Sequence, residues 1–291
     1  MGEQLLQLLF SGLTLGGIYS VIALVLVITY KITGILNLAL GEFLVLGALL
    51  TVTFKTMGMP LIAASLLAML AVALIAGALE RLTVNKVRGA SGLTMLIITI
   101  GIAIALRGLA LLIWGTDTYS LPAFTSSKSI IAGGAALNPQ SIWVLLLAGI
   151  TLIGVNLFFG RTYWGKAVTA SVLSPTGARL QGINLSTISL AAFIFSGALA
   201  TAAGICIGPV TMITYDMGFM LGVKGFIAAT IGGLGSVSGA VIGGLILGLL
   251  EAYSSGLISS GLNDAISIII LLAVLMIRPE GILGAIRTRR V

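Results

Sequence analysis

Four ionisable residues stand inside or beside long apolar stretches: Glu42, Arg107, Lys224 and Glu251. A charge at the centre of a membrane helix costs about 2.5–3.5 kcal/mol on insertion scales, so each needs a partner or a task. Two chemistries fit these residue types. Opposite charges can form a structural pair, Arg107 with Glu251 for instance, or they can meet a polar solute on its way through. Asp264 falls close to the outer water and reads as solvated.

Much other chemistry is excluded. The chain contains no histidine, so no Ser-His-Asp triad, Cys-His pair or His-ligated zinc or haem can be assembled. A single cysteine, Cys206, rules out an internal disulfide and reads as a small buried hydrophobe. Gly160 to Lys166 has the GxxxxGK spacing of a phosphate-binding loop. The next residue is Ala167 rather than Ser or Thr, and an apolar helix rather than a strand precedes it. The net charge of +7 comes from scattered residues, without the basic cluster that nucleic-acid binding needs.

The elements that must position these residues are membrane helices. Of 291 residues, 58% are hydrophobic and 8% charged, against roughly a quarter charged in soluble domains. Apolar runs long enough to span occur at 5–30, 33–54, 60–80, 93–114, 141–159 and 187–208, followed by a Gly-rich stretch at 222–253 and a last run at 262–277. The start of the chain lacks a basic n-region, so the first run is expected to stay in the mature protein.

Basic residues orient the bundle. Lys31, Arg81, Lys86, Arg88, Arg161, Lys166, Arg179, Arg278, Arg287, Arg289 and Arg290, eleven of fifteen, fall on one face, which reads as cytoplasmic. Lys55 and Lys128 fall opposite, beside Asp117 and Asp216. Keeping the basic C-terminus inside requires 222–253 to enter, turn at Gly232-Gly233-Leu234-Gly235-Ser236-Val237-Ser238-Gly239 and return. The expectation is an all-α polytopic membrane protein, one transmembrane domain over 1–291. It has about seven full spans plus a Gly-rich re-entrant hairpin, with the N-terminus outside and the C-terminus cytoplasmic. Trp114, Trp143 and Trp164 sit at span ends, as interface belts require. Small-xxx-small spacing at Gly12/Gly16, Gly204/Gly208, Gly239/Gly243 and Gly244/Gly248 points to close helix packing.

Two features stand out on this map. Breaks at 34–41 and 232–239 would expose helix termini whose N–H groups suit a carboxylate, beside a pathway. The inner loop 160–186 carries its own helix signals, with Ser174-Pro175 as cap and first position, Gly182 as stop, and a further helical stretch around 165–172. Such short helices rest either on lipid headgroups or against a cytoplasmic partner.

The residues Gly12-Leu13-Thr14-Leu15-Gly16-Gly17-Ile18-Tyr19-Ser20 and Ile35-Leu36-Asn37-Leu38-Ala39-Leu40-Gly41-Glu42-Phe43 resemble the opening signature of branched-chain amino acid ABC importer permeases. Gly165-Lys166-Ala167 through Ala178-Arg179-Leu180-Gln181-Gly182-Ile183-Asn184 resembles their cytoplasmic coupling loop. Lys224-Gly225-Phe226-Ile227-Ala228-Ala229 running into Gly232-Gly233-Leu234-Gly235-Ser236, and the ending Arg278-Pro279-Glu280-Gly281-Ile282-Leu283-Gly284, resemble the rest of the family pattern in order.

This resemblance implies the shorter of two different permeases of a binding-protein-dependent importer in the bacterial plasma (inner) membrane. Its partners would be the second permease, two cytoplasmic ATPases, an extracytoplasmic solute-binding protein and the lipid bilayer, with no nucleic acid. The chain itself would hold no cofactor, with ATP and magnesium on the ATPases. Branched-chain amino acids are the first substrate class; short amides, urea and small aromatic acids occur in the same family. An ATP-independent channel or secondary transporter, and less readily an intramembrane enzyme, are the readings from other classes. Candidate pathway or substrate residues are Tyr19, Asn37, Gly41, Glu42, Arg107, Lys224, Gly233, Gly235, Ser236 and Ser238. Candidate ATPase-coupling residues are Gly165, Lys166, Ala170, Ser174, Pro175, Ala178, Arg179, Gly182 and Ile183. The sequence departs from the family at Leu40, where His is usual, at Leu173 or Ser174, where an acid is usual, and at Thr169, where Arg is frequent. Those departures bear on substrate choice and on the details of ATPase contact.

Overall fold

The computed structural model describes residues 2–87, 90–125, 129–259, 261 and 263–284. Of the basic residues used above for orientation, Arg88, Lys128, Arg287, Arg289 and Arg290 lie outside the described residues. The apolar runs become helices: α1 (Gly2–Thr33), α2 (Leu40–Thr56), α3 (Leu61–Leu82), α4 (Gly92–Trp114), α5 (Pro139–Arg161), α6 (Tyr163–Leu173), α7 (Pro175–Leu180), α8 (Leu185–Ile207), α9 (Met217–Gly232), α10 (Val237–Leu257) and α11 (Asn263–Ile277). Among the described residues, six helical stretches are long and apolar enough to cross a membrane: α1, α3 with the one-turn 3-10 helix Val84–Val87 after it, α4, α5, α8 and α10. Helices α2, α9 and α11 are shorter, with 17, 16 and 15 residues.

Three expectations need correction. The run at 33–54 does not begin as helix. Gly34 takes a left-handed φ of +70°, residues 34–39 are irregular and α2 starts only at Leu40, so Gly41 is helical rather than part of the break. The second break is narrower than 232–239, because α9 runs through Gly232 and α10 resumes at Val237. The fold is also not purely helical. Ile130–Ala132 pairs antiparallel with Ala135–Leu137, since Gly133 and Gly134 (φ +58° and +82°) supply the two positive φ angles of a two-residue hairpin turn.

The chain forms two compact units. The first comprises Met1–Val27, Phe124–Leu152 and Lys224–Val291. Its centre is α10, which carries two adjacent rows of glycine. Gly244 and Gly248 abut the backbone of α1 at Ser20 and Gly16, while Gly12 meets Leu249 and Gly16 meets Leu245. Ser20 Oγ donates to Val241 O at 2.8 Å across the same seam. Gly239 and Gly243 face Gly232 and Ala228 of α9. Two neighbours thereby approach one helix at backbone distance, which small residues permit and van der Waals packing rewards without a hydrophobic driving force.

The second unit comprises Ile28–Ala123 and Ile153–Val223, with a core of α2, α3 and α8. Gly204 of α8 meets the backbone of Leu44, Gly47 of α2 meets Thr201, and Gly197 meets Ala76 and Val72 of α3. Phe43, Leu44 and Leu49 of α2 are fully buried, and Phe193 of α8 is buried in a cluster with Val84 and Met95. Thr29 and Ser196 hydroxyls share a hydrogen bond of 2.6 Å, and Trp114 Nε1 donates to Thr53 Oγ1 at 2.8 Å, tying the ends of α4 and α2.

Candidate functional site

The membrane charges form two centres, one in each unit, and the pairing differs from the Arg107–Glu251 pair offered as an example above. In the second unit, Arg107 of α4 reaches Glu42 in the first turn of α2. Its Nη2 donates to Glu42 Oε1 at 2.9 Å and its Nε donates to the same oxygen at 3.3 Å. The guanidinium also lies 5.2 Å from the ring centre of Phe219 on α9, within cation–π range. Glu42 Oε2 is turned toward Gly218, where a Cβ would come within 2.7 Å of it. Gly41 packs against the same Gly218 backbone. The helix–helix approach at these two glycines is what brings Glu42 and Phe219 to one place. The Glu42 side chain is 2% exposed and that of Arg107 30%.

In the first unit, Lys224 of α9 donates to Glu251 Oε1 of α10 at 2.5 Å and lies 3.1 Å from Asp264 Oδ1 of α11. Asp264 is therefore an ion-pair partner, although its side chain is 55% exposed as its expected position near water requires. The ring of Tyr19 sits 5.7 Å from the ammonium. Lys224 is 13% and Glu251 5% exposed, so this pair is largely enclosed.

The glycine break between α9 and α10 has structural duties. Gly233 takes φ +104° and is buried, with a Cβ there meeting Gly284 N at 2.7 Å and Glu280 O at 2.9 Å. The C-terminal strap donates Ile282 N to Ile231 O (2.8 Å) and Leu283 N to Gly232 O (3.0 Å), satisfying carbonyls at the end of α9. Ser236 is the N-cap of α10, accepting from Gly239 N at 3.0 Å. Gly235 and Ser238 are exposed. In the other break, Asn37 is buried; its Oδ1 accepts from Ala39 N at 3.0 Å, and its Nδ2 has no hydrogen-bond partner among the described residues.

The loop after α5 folds as its sequence signals suggest. Thr162 caps α6 through Gly165 N (2.9 Å), and Ser174 caps α7 through Gly177 N (3.2 Å), with Pro175 in the first turn. At its end Ile183 N donates to Ala178 O and Gly182 N to Arg179 O, each at 3.0 Å, with Gly182 at φ +78°. This is the Schellman closure, and glycine is what its left-handed position requires. Asn184 then caps α8, and Ser186 Oγ bonds Asn85 Oδ1 at 2.9 Å, fastening the loop to the 3-10 turn. A shallow groove lies beside it, lined by Arg179, Gly182, Ile183, Asn184, Leu185 and Ser186.

Burial divides the coupling candidates. Gly165, packed on the Phe158 backbone, and Ala178 face inward, and Ile183 is half-buried. Lys166, Ala170, Ser174, Arg179 and Gly182 are exposed. The exposed apolar residues Tyr163, Val172 and Leu180 were not singled out from sequence, and exposed Trp164 was read only as a membrane-interface residue. A GxxxxGK string that ends one helix and caps the next is no phosphate cradle. Phe219 was missed as a site partner, Glu251 was offered to Arg107 rather than to Lys224, and Asp264 was read as solvated. The actual pairing escapes local sequence, because helices distant along the chain bring these residues to the charges.

With this geometry in view, the comparisons with known proteins are consistent. Residues 8–277 match the family described as "Branched-chain amino acid transport system / permease component". The chain is 32% identical over 302 residues to the high-affinity branched-chain amino acid transport system permease protein LivH of Escherichia coli (strain K12), covering 98% of each chain. It is 31% identical over 293 residues to BraD, of the same description, from Pseudomonas aeruginosa, covering 96% of this chain and 95% of that one. Among solved structures, PsaBC from Streptococcus pneumoniae in complex with Fab aligns with a TM-score of 0.49 and 13% identity over 93% of this chain and 91% of that one. A polytopic helical chain that matches a permease family over nearly its whole length, with its motifs in family order, belongs to the permease component family of branched-chain amino acid transport systems.

Proposed function

We propose that this chain is one of two permeases in a binding-protein-dependent ABC importer of the bacterial inner membrane, carrying branched-chain or related small amino acids. A second, homologous permease would complete the pathway, two ATPases would hold ATP and magnesium, and a solute-binding protein would deliver substrate from outside. The observation that carries this reading is the match over residues 8–277. It is supported by the loop 160–186, whose two capped helices present Trp164, Val172, Leu180, Lys166 and Arg179 outward on a surface suited to a cytoplasmic partner. ATPase closure would press on α6 and α7 and tilt α5 and α8, to which they are directly joined. Leu40, in place of the family's usual His, favours keeping a second substrate class open, urea and short amides or small aromatic acids.

Gentle affinity purification of the tagged chain, with mass spectrometry of what accompanies it, tests the assembly. A second permease and an ATPase should co-purify, and absence of both would sink the reading. Transport by the chain alone in proteoliposomes, without ATP, would replace it with a channel or secondary transporter. Leu180→Asp should cut binding-protein-stimulated ATP hydrolysis about tenfold if this side chain anchors the ATPase contact. Ala178→Arg is the poorer probe, because its burial makes a charge there a packing lesion.

A further inference from the structure

We propose that Arg107 is the side chain that recognises the carboxylate of the solute during permeation. The inference rests on the importer reading and adds a residue and an atom set to it.

The geometry of the pair carries the argument. A guanidinium has five N–H donors in a planar fork, and its strongest carboxylate pairs are two parallel bonds to two oxygens. Arg107 instead gives Nε and Nη2 to a single oxygen, Glu42 Oε1, while Oε2 is turned to the Gly218 backbone. Two donors are thus used, and three remain for another acceptor. Exposure has the same asymmetry, with Glu42 enclosed at 2% and Arg107 open at 30%. Glu42 and the Phe219 ring hold the guanidinium from one side and leave its remaining donors available, with an aromatic surface next to them. Around Arg107, the exposed residues of α4 are Ile104, Ala105, Gly108, Leu109, Leu111 and Leu112, none of which can accept from it through a side chain. Arginine is the side chain that matches a carboxylate with two parallel donors, which a lysine cannot reproduce.

The test uses the whole importer in proteoliposomes, with its cognate binding protein, ATP inside and radiolabelled leucine, benzoate and urea as probes. Wild type should take up leucine or benzoate. Arg107→Lys keeps the charge opposite Glu42 but lacks the fork, and should lower that uptake about tenfold while ATP hydrolysis stimulated by loaded binding protein stays within about twofold. The double variant Glu42→Gln with Arg107→Gln removes the buried pair as a neutral unit and should remain as slow. Full uptake in Arg107→Lys or in the double variant would reduce Arg107 to a structural partner of Glu42 and overturn the proposal. Wild-type uptake of urea but of neither carboxylate would overturn it as well. Absence of ATP-dependent uptake of all three probes overturns the importer reading, and this inference with it.

Discussion

Two charge centres built from the same ingredients behave differently. Each joins a cation on one helix to a glutamate on another, with an aromatic ring beside it. Lys224 is matched by two carboxylates and is 13% exposed, while Arg107 is matched by one carboxylate oxygen and is 30% exposed. A compact ammonium between Glu251 and Asp264 joins α9, α10 and α11 and is electrostatically spent. A planar guanidinium bonded along one edge keeps donors in hand. The lesson is that a membrane charge is read by how completely its donors are used, more than by its depth or sign.

The contrast can be broken most forcefully at Glu251. Glu251→Leu leaves Lys224 with only the half-exposed Asp264 and should destabilise the protein by about 3–5 kcal/mol, read as a large fall in thermal stability in detergent. Retained stability would mean that the Lys224 centre is not the closed pair described. Next comes Gly218→Val, whose branched side chain would collide with Glu42 Oε2 and Gly41. A loss of about 1–3 kcal/mol is expected, with poorer transport, because the Arg107 centre depends on that close approach. Phe219→Leu removes the ring next to Arg107 and should cost about 0.5–1 kcal/mol, measured the same way. Smallest is Asp264→Asn, because a pair with one strongly exposed member contributes about 1 kcal/mol or less. Should Asp264→Asn equal Glu251→Leu in effect, the ranking of the two partners would be reversed.

Legibility from sequence followed the range of the interaction. Runs of apolar residues located the helices, and local caps located α7 and the Gly182 closure, because each depends on neighbours within about four residues. The break near Gly233 was visible for the same reason, its glycines being adjacent. The width of both breaks was misread. Gly41 and Gly239 look like helix breakers in isolation, yet they are helical residues kept small so that Gly218 and Gly232 can approach. The β-hairpin went unseen because three residues on either side of Gly133-Gly134 carry too little alternation to register.

The coupling candidates show the same limit at the level of single residues. Spacing selected the loop 160–186 as a whole, but which of its side chains look outward depends on how α6 folds back on α5, with Gly165 on the Phe158 backbone and Val168, Ser171 and Ala178 turned in. Leu180 became a prominent surface residue only once that was known.

By itself, then, the chain of residues determined that this is a membrane permease, because composition, charge asymmetry and ordered motifs are properties of the sequence alone. Tertiary structure decided who pairs with whom. Glu42 lies 65 residues from Arg107 and Glu251 lies 27 from Lys224. No local rule chooses between these partners and the exchanged ones. The choice is made by glycine rows that let particular helices meet at backbone distance, and a charge buried in a membrane protein takes the partner that packing places within its reach.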